Sequence, residues 1–194
     1  NVLVNLPLKT LNRHGLIAGA TGTGKTKTLQ VIAENLSKKG VPVLLMDLKG
    51  DLSGIAESGE VKPFILERLG KIGLDFQPQA FPTELLTISE QKGVRMRATV
   101  SEFGSVLLSR ILDLSDVQEG VLAVVFKYCD DHALPLLDLK DLKKILQYAT
   151  DEGKTDFEKE YGAVSKSSTS AILRKIVELE HQGAELFFGE RSFE

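Results

Sequence analysis

The hydrophobic positions in the first quarter of the chain alternate between short apolar runs and a helical stripe. Residues 15–18 form a short apolar run, and residues 41–47 form a longer one. Runs of this kind are typical of strands buried on both faces of a parallel sheet. A helix is predicted between these two runs, and two lysines and a glycine at residues 38–40 mark its end. The stripe of that helix is Leu29, Ile32, Ala33 and Leu36. The pattern predicts a strand, a helix and a second strand over residues 15–47, which is a βαβ unit.

Weaker signals for strands flank this unit. A leading strand is predicted over residues 2–8, and a short helix over residues 63–69, because proline is favoured in the first turn of a helix. Residues 83–89 and 94–100 then alternate in part between apolar and polar positions. A short loop that contains glycine joins them. These features predict a β-hairpin over residues 83–100.

The second half of the chain follows a helical period. Ser115, with Gln118 three residues later, predicts a capped helix start, and Asp138 predicts another. Residues 150–165 are polar and predict a long loop, and residues 165–182 predict a last helix. The predicted inward positions are Phe103, Val106, Leu107 and Ile111 in the first helix, Val117, Val121, Val124, Val125 and Tyr128 in the second, Leu139, Leu142, Ile145, Leu146 and Ala149 in the third, and Ile172, Ile176 and Leu179 in the last.

Composition narrows the class of protein. The chain has 194 residues, of which 42% are hydrophobic and 26% charged, as expected for a globular domain with a core. The single cysteine, Cys129, cannot form an internal disulfide, so we expect a cytoplasmic protein. No apolar run approaches ~18 residues, so no membrane span is predicted. The net charge of −3 excludes a broad basic face that coats nucleic acid, although a few loops can still contact DNA.

Residues 19–26 read Gly-Ala-Thr-Gly-Thr-Gly-Lys-Thr and fit the phosphate-binding pattern G-x-x-x-x-G-K-T, the P-loop or Walker A motif. Its glycines let backbone N–H groups close around a phosphate, and the following helix points its positive end at the same anion. Lys25 is predicted to contact the β- and γ-phosphates of ATP, and the Thr26 hydroxyl to bind Mg²⁺. The predicted site residues are Gly19, Thr21, Gly22, Thr23, Gly24, Lys25, Thr26 and Lys27. The alternative is a glycine-rich turn that fits by chance, which the βαβ context disfavours.

A nucleoside triphosphatase also needs an acid near the metal and a group that orients water. Asp47 ends the second predicted strand and Asp51 follows it, and for Asp51 a role in tying down the turn is an equal alternative. Residues 121–131 resemble a strand that ends in Asp-Asp, but their stripe predicts a helix. No later predicted strand ends in Asp-Glu. We therefore expect the catalytic carboxylate to lie beyond Glu194.

Several stretches of the chain form a specific combination with the phosphate-binding loop. They are residues 12–26, 40–54, 97–102, 107–110, 118–122, 137–142 and 187–190. Together they resemble bacterial HerA-like ATPases of the YjgR type, in the HerA/FtsK branch of RecA-like P-loop ATPases. The resemblance implies an α/β fold, in which a RecA-like P-loop core, incomplete in this chain, carries a mostly α-helical inserted subdomain. The expected divisions are residues 1–82 for the core, 83–100 for the hairpin and 101–194 for the helical subdomain.

The resemblance also implies a function. We expect a Mg²⁺-dependent ATPase, Lys25 being its catalytic residue in this chain, that assembles as a homo-hexamer and moves along DNA as a translocase or helicase. In a RecA-like sheet the second strand lies about three strands from the P-loop strand, or roughly 14 Å, so Asp47 is expected to act indirectly. An arginine from a neighbouring subunit would stabilise the transition state, and Arg97 and Arg110 are candidates.

Two other classes of function remain open at this stage. A small-molecule kinase would use the helical half as a lid and would need clustered arginines there. The arginines after residue 100 are Arg110, Arg174 and Arg191, and they are well separated. A nucleotide-gated assembly module would bind ATP without hydrolysing it.

Overall fold

The computed structural model describes residues 6–74 and 77–190, in two compact units, Asn1–Glu84 and Leu85–Glu194. The first unit contains the helices α1 (Lys25–Ser37) and α2 (Pro63–Ile72) and 3₁₀ turns at Leu8–Thr10 and Ser53–Ala56. Most of the predicted leading strand, residues 2–5, lies outside the described residues. The predicted division into three segments stays a prediction.

The second unit contains a small sheet and most of the helices. Its strands are β1 (Leu86–Thr87) and β2 (Val94–Arg95), which pair in parallel. Its helices are α3 (Val100–Ile111), α4 (Asp116–Asp131), α5 (Leu139–Tyr148), α6 (Lys154–Glu160) and α7 (Lys166–His181), followed by a 3₁₀ turn at Ala184–Leu186. Helix α4 packs against α3 and α7, and α5 packs against α7. The described part of the chain is therefore mostly helical.

The described residues do not form the predicted α/β core. Residues 15–18 and 41–47 belong to no strand, and the two-stranded sheet lies in the other unit. A strand needs neighbours that accept its N–H groups and donate to its carbonyls, and neither segment has such a neighbour among the described residues. Leu16 and Leu44 are accordingly 89% and 79% exposed. These segments have the apolar pattern of strands buried on both faces, but nearly all of their residues are exposed.

The predicted hairpin is also wrong. The N–H of Val94 donates to the carbonyl of Leu85 at 2.7 Å, and that of Met96 donates to Thr87 at 2.8 Å. Both bonds run in the same direction along the two segments, as they do in a parallel pair. Between the strands, the N–H of Ser89 donates to the Thr87 hydroxyl at 3.1 Å, which begins a bend directly after β1. The chain returns to the start of β1 before β2 begins, so the strands run the same way.

The predicted starts of three helices are confirmed. The N–H of Ser115 donates to Gln118 Oε1 at 3.1 Å at the start of α4. The carboxylate of Asp138 accepts the N–H groups of Lys140 and Asp141 at 2.7 and 3.0 Å at the start of α5. Ser165 caps α7 in the same manner. Each cap satisfies amides that have no partner inside the helix.

The buried face of α3 differs from the prediction. Val106 is 66% exposed, whereas Val100, Leu108 and Leu112 are buried in the core. The cause is Gly104, whose φ of 77° and ψ of 161° interrupt the helix. Only glycine adopts this conformation readily, and the break rotates the residues after it relative to those before. The predicted stripe, which assumed one continuous helix, therefore does not match the buried face of α3.

The face predicted for α4 is partly wrong, since Val117 is exposed, whereas that of α5 is confirmed, with Ile145 partly buried.

The loop predicted over residues 150–165 contains helix α6. Its Phe157 is fully buried, and its ring stacks on that of Tyr128 with the centroids 4.2 Å apart. One large apolar side chain among polar neighbours gives no helical stripe, so the pattern was too sparse to predict this helix. Burial of Phe157 in the second unit fixes the segment instead.

The aromatic cluster around Phe157 ends in a hydrogen bond that depends on pH. The hydroxyl of Tyr161 donates to Asp131 Oδ2 at 2.7 Å, and Lys127 pairs with the same carboxylate. The carboxylate of Asp131 raises the pKa of Tyr161 to about 12 from its ordinary 10.0. Lys127, followed by Tyr161, lowers the pKa of Asp131. The folded state thus holds the tyrosine proton more tightly than the unfolded state does.

We expect the stability that this bond contributes to be complete below the tyrosine's unfolded pKa and to be lost as pH rises from about 10 to about 12. Thermal unfolding followed by circular dichroism across this range measures the effect. The variant Tyr161→Phe should unfold at a lower temperature than the wild type at pH 7, and this difference should shrink above pH 10. A difference that stays constant with pH would show that the bond is not formed.

Candidate functional site

Two of the three glycines in residues 19–26 have a backbone conformation that favours glycine. Gly22 and Gly24 have φ values of 82° and 97°, which L side chains rarely adopt. A Cβ atom at Gly19 would lie 2.5 Å from the Thr23 hydroxyl, so a side chain there would collide with the loop. The positive φ values require glycine at residues 22 and 24, whereas a side chain at Gly19 would have to displace the Thr23 hydroxyl.

The carbonyl of Ala20 accepts several hydrogen bonds from within the loop. It accepts the Thr23 N–H at 3.4 Å, the Thr23 hydroxyl at 2.8 Å and the Lys25 ammonium at 2.8 Å. The Lys25 charge thus lies folded over the loop. A lysine on a flexible stem that is held by a neutral carbonyl exchanges this partner readily for an anionic oxygen, which binds an ammonium more strongly.

Helix α1 begins directly at the loop. Gly24 is its N-cap residue, and the helical hydrogen bonds start with the Thr28 N–H donating to the Gly24 carbonyl at 2.9 Å. The amides of Lys25, Thr26 and Lys27 precede that bond and belong to the positive end of the helix. The predicted site residues from Gly19 to Lys27 therefore lie together, as a loop and a first helical turn.

A second loop, residues 47–52, is closed by one side chain, and we call it the Asp47 turn. The carboxylate of Asp47 accepts four backbone N–H groups, those of Lys49, Gly50, Asp51 and Leu52, at 3.3, 2.8, 3.2 and 2.9 Å. The bond from Leu52, with those from the other amides, lowers the pKa of Asp47. Asp47 therefore ties down the turn. From the sequence, this role is predicted as an alternative for Asp51.

The Asp47 turn contacts helix α1 through Asp51. The hydroxyl of Thr26 donates to Asp51 Oδ2 at 3.2 Å, and Gln30 Nε2 donates to the Asp51 carbonyl at 3.1 Å. Gln30 is buried, and its Oε1 accepts the Lys27 ammonium at 2.8 Å. The predicted metal ligand is thus next to a carboxylate.

Sequence reasoning left the partner of Asp51 open and missed Gln30 altogether. A signal for Gln30 was available, because it lies four residues after Thr26 and so on the same face of α1. The candidate arginines, Arg97 and Arg110, belong to the second unit, and a role for either in a neighbouring subunit stays a prediction.

These residues fit ATP and Mg²⁺ chemically. The loop supplies amides, a lysine and glycines that leave no side chain in the way, which suits a phosphate. The described residues contain no group of three or more His, Cys, Asp and Glu side chains that could hold a metal by themselves. Mg²⁺ is commonly held by one or two carboxylates together with substrate phosphates, and the Thr26 hydroxyl with a carboxylate beside it is chemically compatible with that ion.

None of the helices in residues 6–74 and 77–190 is both long and apolar enough to cross a bilayer.

Comparison with known proteins identifies the family. The family model described as "Helicase HerA-like C-terminal" matches residues 1–194, and the chain belongs to this family. The chain is 32% identical over 99 residues to the DNA double-strand break repair helicase HerA of Saccharolobus solfataricus. That alignment covers 50% of this chain and 18% of the relative. No solved structure matches the chain.

The resemblance to HerA-like proteins that the sequence indicated is thereby confirmed. The curated relative is much longer than the matched region, since the alignment spans only 18% of its length. The match therefore does not by itself assign the relative's activity to this chain.

Proposed function

We propose that this chain binds Mg·ATP through residues 19–27 and forms part of a HerA/FtsK-type ATPase that moves along DNA. The observation that carries the proposal is the conformation of the loop, in which two glycines with positive φ place Lys25 and Thr26 at the start of α1. The membership of the chain in a HerA-like helicase family supports it.

Each residue of the loop has a distinct task in this proposal. The amides of Gly22, Thr23, Gly24 and Lys27 donate to phosphate oxygens, while Gly19 and Thr21 shape the loop. Lys25 leaves the Ala20 carbonyl and contacts the β- and γ-phosphates, whose developing charge it stabilises. The Thr26 oxygen binds the metal. Mg²⁺, when bound, neutralises charge on the β- and γ-phosphate oxygens.

The proposal includes a RecA-like core that residues 15–18 and 41–47 help to build. Their exposed apolar side chains support this, because Leu16 and Leu44 need a cover that neighbouring strands and helices would supply. A water-activating carboxylate on one of those strands and an arginine from a neighbouring subunit of a homo-hexamer would complete the site.

The proposal that the protein moves along DNA is supported by the family and by the relative, which is a DNA double-strand break repair helicase. The net charge of −3 favours contact through a few loops over a broad basic face. Double-stranded and single-stranded DNA are both open as the track.

ATP turnover by the full-length protein tests the proposal. We expect phosphate release to be stimulated severalfold by DNA and the stimulation to fall with added salt, since DNA contacts are salt-dependent. Phosphoryl transfer to a small molecule, without DNA stimulation, would instead identify a kinase. Light scattering measures assembly. Assembly on addition of Mg·ATP without phosphate release would identify a nucleotide-gated module.

A further inference from the structure

The contact between Thr26 and Asp51 is made by the fold and not by sequence neighbours. The two residues are 25 positions apart, and the Thr26 hydroxyl donates to Asp51 Oδ2 at 3.2 Å. Thr26 is in the first turn of α1, and Asp51 is in the Asp47 turn. The structure thus places a carboxylate beside the hydroxyl of the proposed magnesium ligand.

The backbone of Asp51 is fixed without help from its own carboxylate. Its N–H donates to Asp47 Oδ1 at 3.2 Å, and its carbonyl accepts Gln30 Nε2 at 3.1 Å. Gln30 is only 7% exposed, so this anchor is part of the packed interior of the first unit. Asp47 closes the turn and Gln30 positions it, whereas the Asp51 side chain is directed at Thr26.

We propose that Asp51 supplies the carboxylate that holds the magnesium ion of Mg·ATP beside Thr26. This inference rests on the function proposed above and adds a residue to that site. Two oxygens in neighbouring positions of an octahedral Mg²⁺ site, each about 2.1 Å from the metal, lie about 3 Å apart. The 3.2 Å between Thr26 Oγ1 and Asp51 Oδ2 matches that spacing.

The sign of the charge makes the proposal testable. Without a metal, the Asp51 carboxylate repels the triphosphate, and with Mg²⁺ between them the interaction becomes attractive. Asp51 therefore makes the affinity for ATP depend on magnesium. Removal of its charge should weaken magnesium binding but should not weaken the binding of metal-free ATP.

The variant Asp51→Asn isolates this charge, because both contacts that position the turn use main-chain atoms of residue 51. Glu57→Gln, at the exposed end of the nearby 3₁₀ turn, is the matched control. A fluorescent ATP analogue is titrated first in EDTA and then at increasing Mg²⁺. Electron paramagnetic resonance with Mn²⁺ and ATP counts the bound metal directly and does not depend on turnover.

We expect Asp51→Asn to weaken Mg²⁺ and Mn²⁺ binding in the nucleotide complex by about 10-fold. Its affinity for ATP in EDTA should equal or exceed that of the wild type, and Glu57→Gln should match the wild type in both assays. Equal loss with and without metal would overturn the inference, since it would indicate a damaged loop. Unchanged metal binding would also overturn it, while leaving the ATP site in place. A wild-type protein that binds no ATP would contradict the proposed function as well.

Discussion

Lys25→Ala is expected to weaken binding of Mg·ATP about 100-fold and to abolish ATP turnover by the full-length protein. The ammonium of Lys25 is 2.8 Å from the Ala20 carbonyl and supplies the positive side-chain charge of the phosphate-binding loop. A charge-assisted contact is worth about 1.5–3 kcal/mol, and every 1.4 kcal/mol changes affinity about tenfold. Two such contacts, to the β- and γ-phosphates, each at the low end of that range, account for the expected loss. Equilibrium titration with a fluorescent ATP analogue measures the affinity.

Lys39→Ala is the control for this experiment. It removes the same charge just beyond the opposite end of α1, where Lys39 is exposed, and it should bind ATP as the wild type does. Unfolding curves of both variants should overlay that of the wild type, because Lys25 is not part of the buried core. A Lys25→Ala protein that binds ATP with wild-type affinity would remove residues 19–27 as the nucleotide site.

Phe157→Ala is expected to destabilise the second unit by about 3–5 kcal/mol, the usual cost of truncating a buried aromatic side chain. Phe157 is fully buried and lies against three other rings. Its centroid is 4.2 Å from that of Tyr128, 6.5 Å from that of Tyr148 and 6.2 Å from that of Tyr161. Urea unfolding followed by circular dichroism measures the change.

Val117→Ala is the control within the same unit. Val117 lies on α4 and is exposed, so its truncation should change the free energy of unfolding by no more than about 0.5 kcal/mol. Phe157→Leu should fall between the two, because it keeps part of the buried apolar volume. A small effect of Phe157→Ala would mean that residues 150–165 form the loop predicted from the sequence.

The features that sequence reasoning predicted well are those set by neighbouring residues. Caps at Ser115 and Asp138 depend on a side chain within about three residues of the amide it accepts, so the pattern contains all the necessary information. The same holds for proline at the start of α2.

The features that it predicted poorly depend on distant partners. Residues 15–18 and 41–47 have the composition of buried strands, yet a strand also needs neighbours, which composition does not supply. Helix α6 depends on the hydrophobic core of the second unit, in which Phe157 is buried. The face of α3 depended on one glycine, Gly104, which reads equally well as a tolerated residue in a continuous helix.

The candidate site shows the same division. The sequence names the residues of its loop, an assignment that stays a prediction, whereas the partner of Thr26 came only from the fold. The sequence placed Asp47 and Asp51 on one loop but gave no means to divide the tasks between them. The structure divides them, since Asp47 accepts four amides of its own turn and Asp51 faces α1.

Residues 19–27 are proposed to enclose a polyphosphate in backbone amides, and a nuclear magnetic resonance titration tests this directly. Backbone amide shifts are followed while ATP, ADP or AMP is added in the presence of Mg²⁺. We predict saturable shifts concentrated at the amides of residues 22–27 for ATP and ADP, with AMP at least ~100-fold weaker, because the loop binds the β-phosphate. Shifts that are equal for AMP and ATP, or that avoid these amides, would contradict the account.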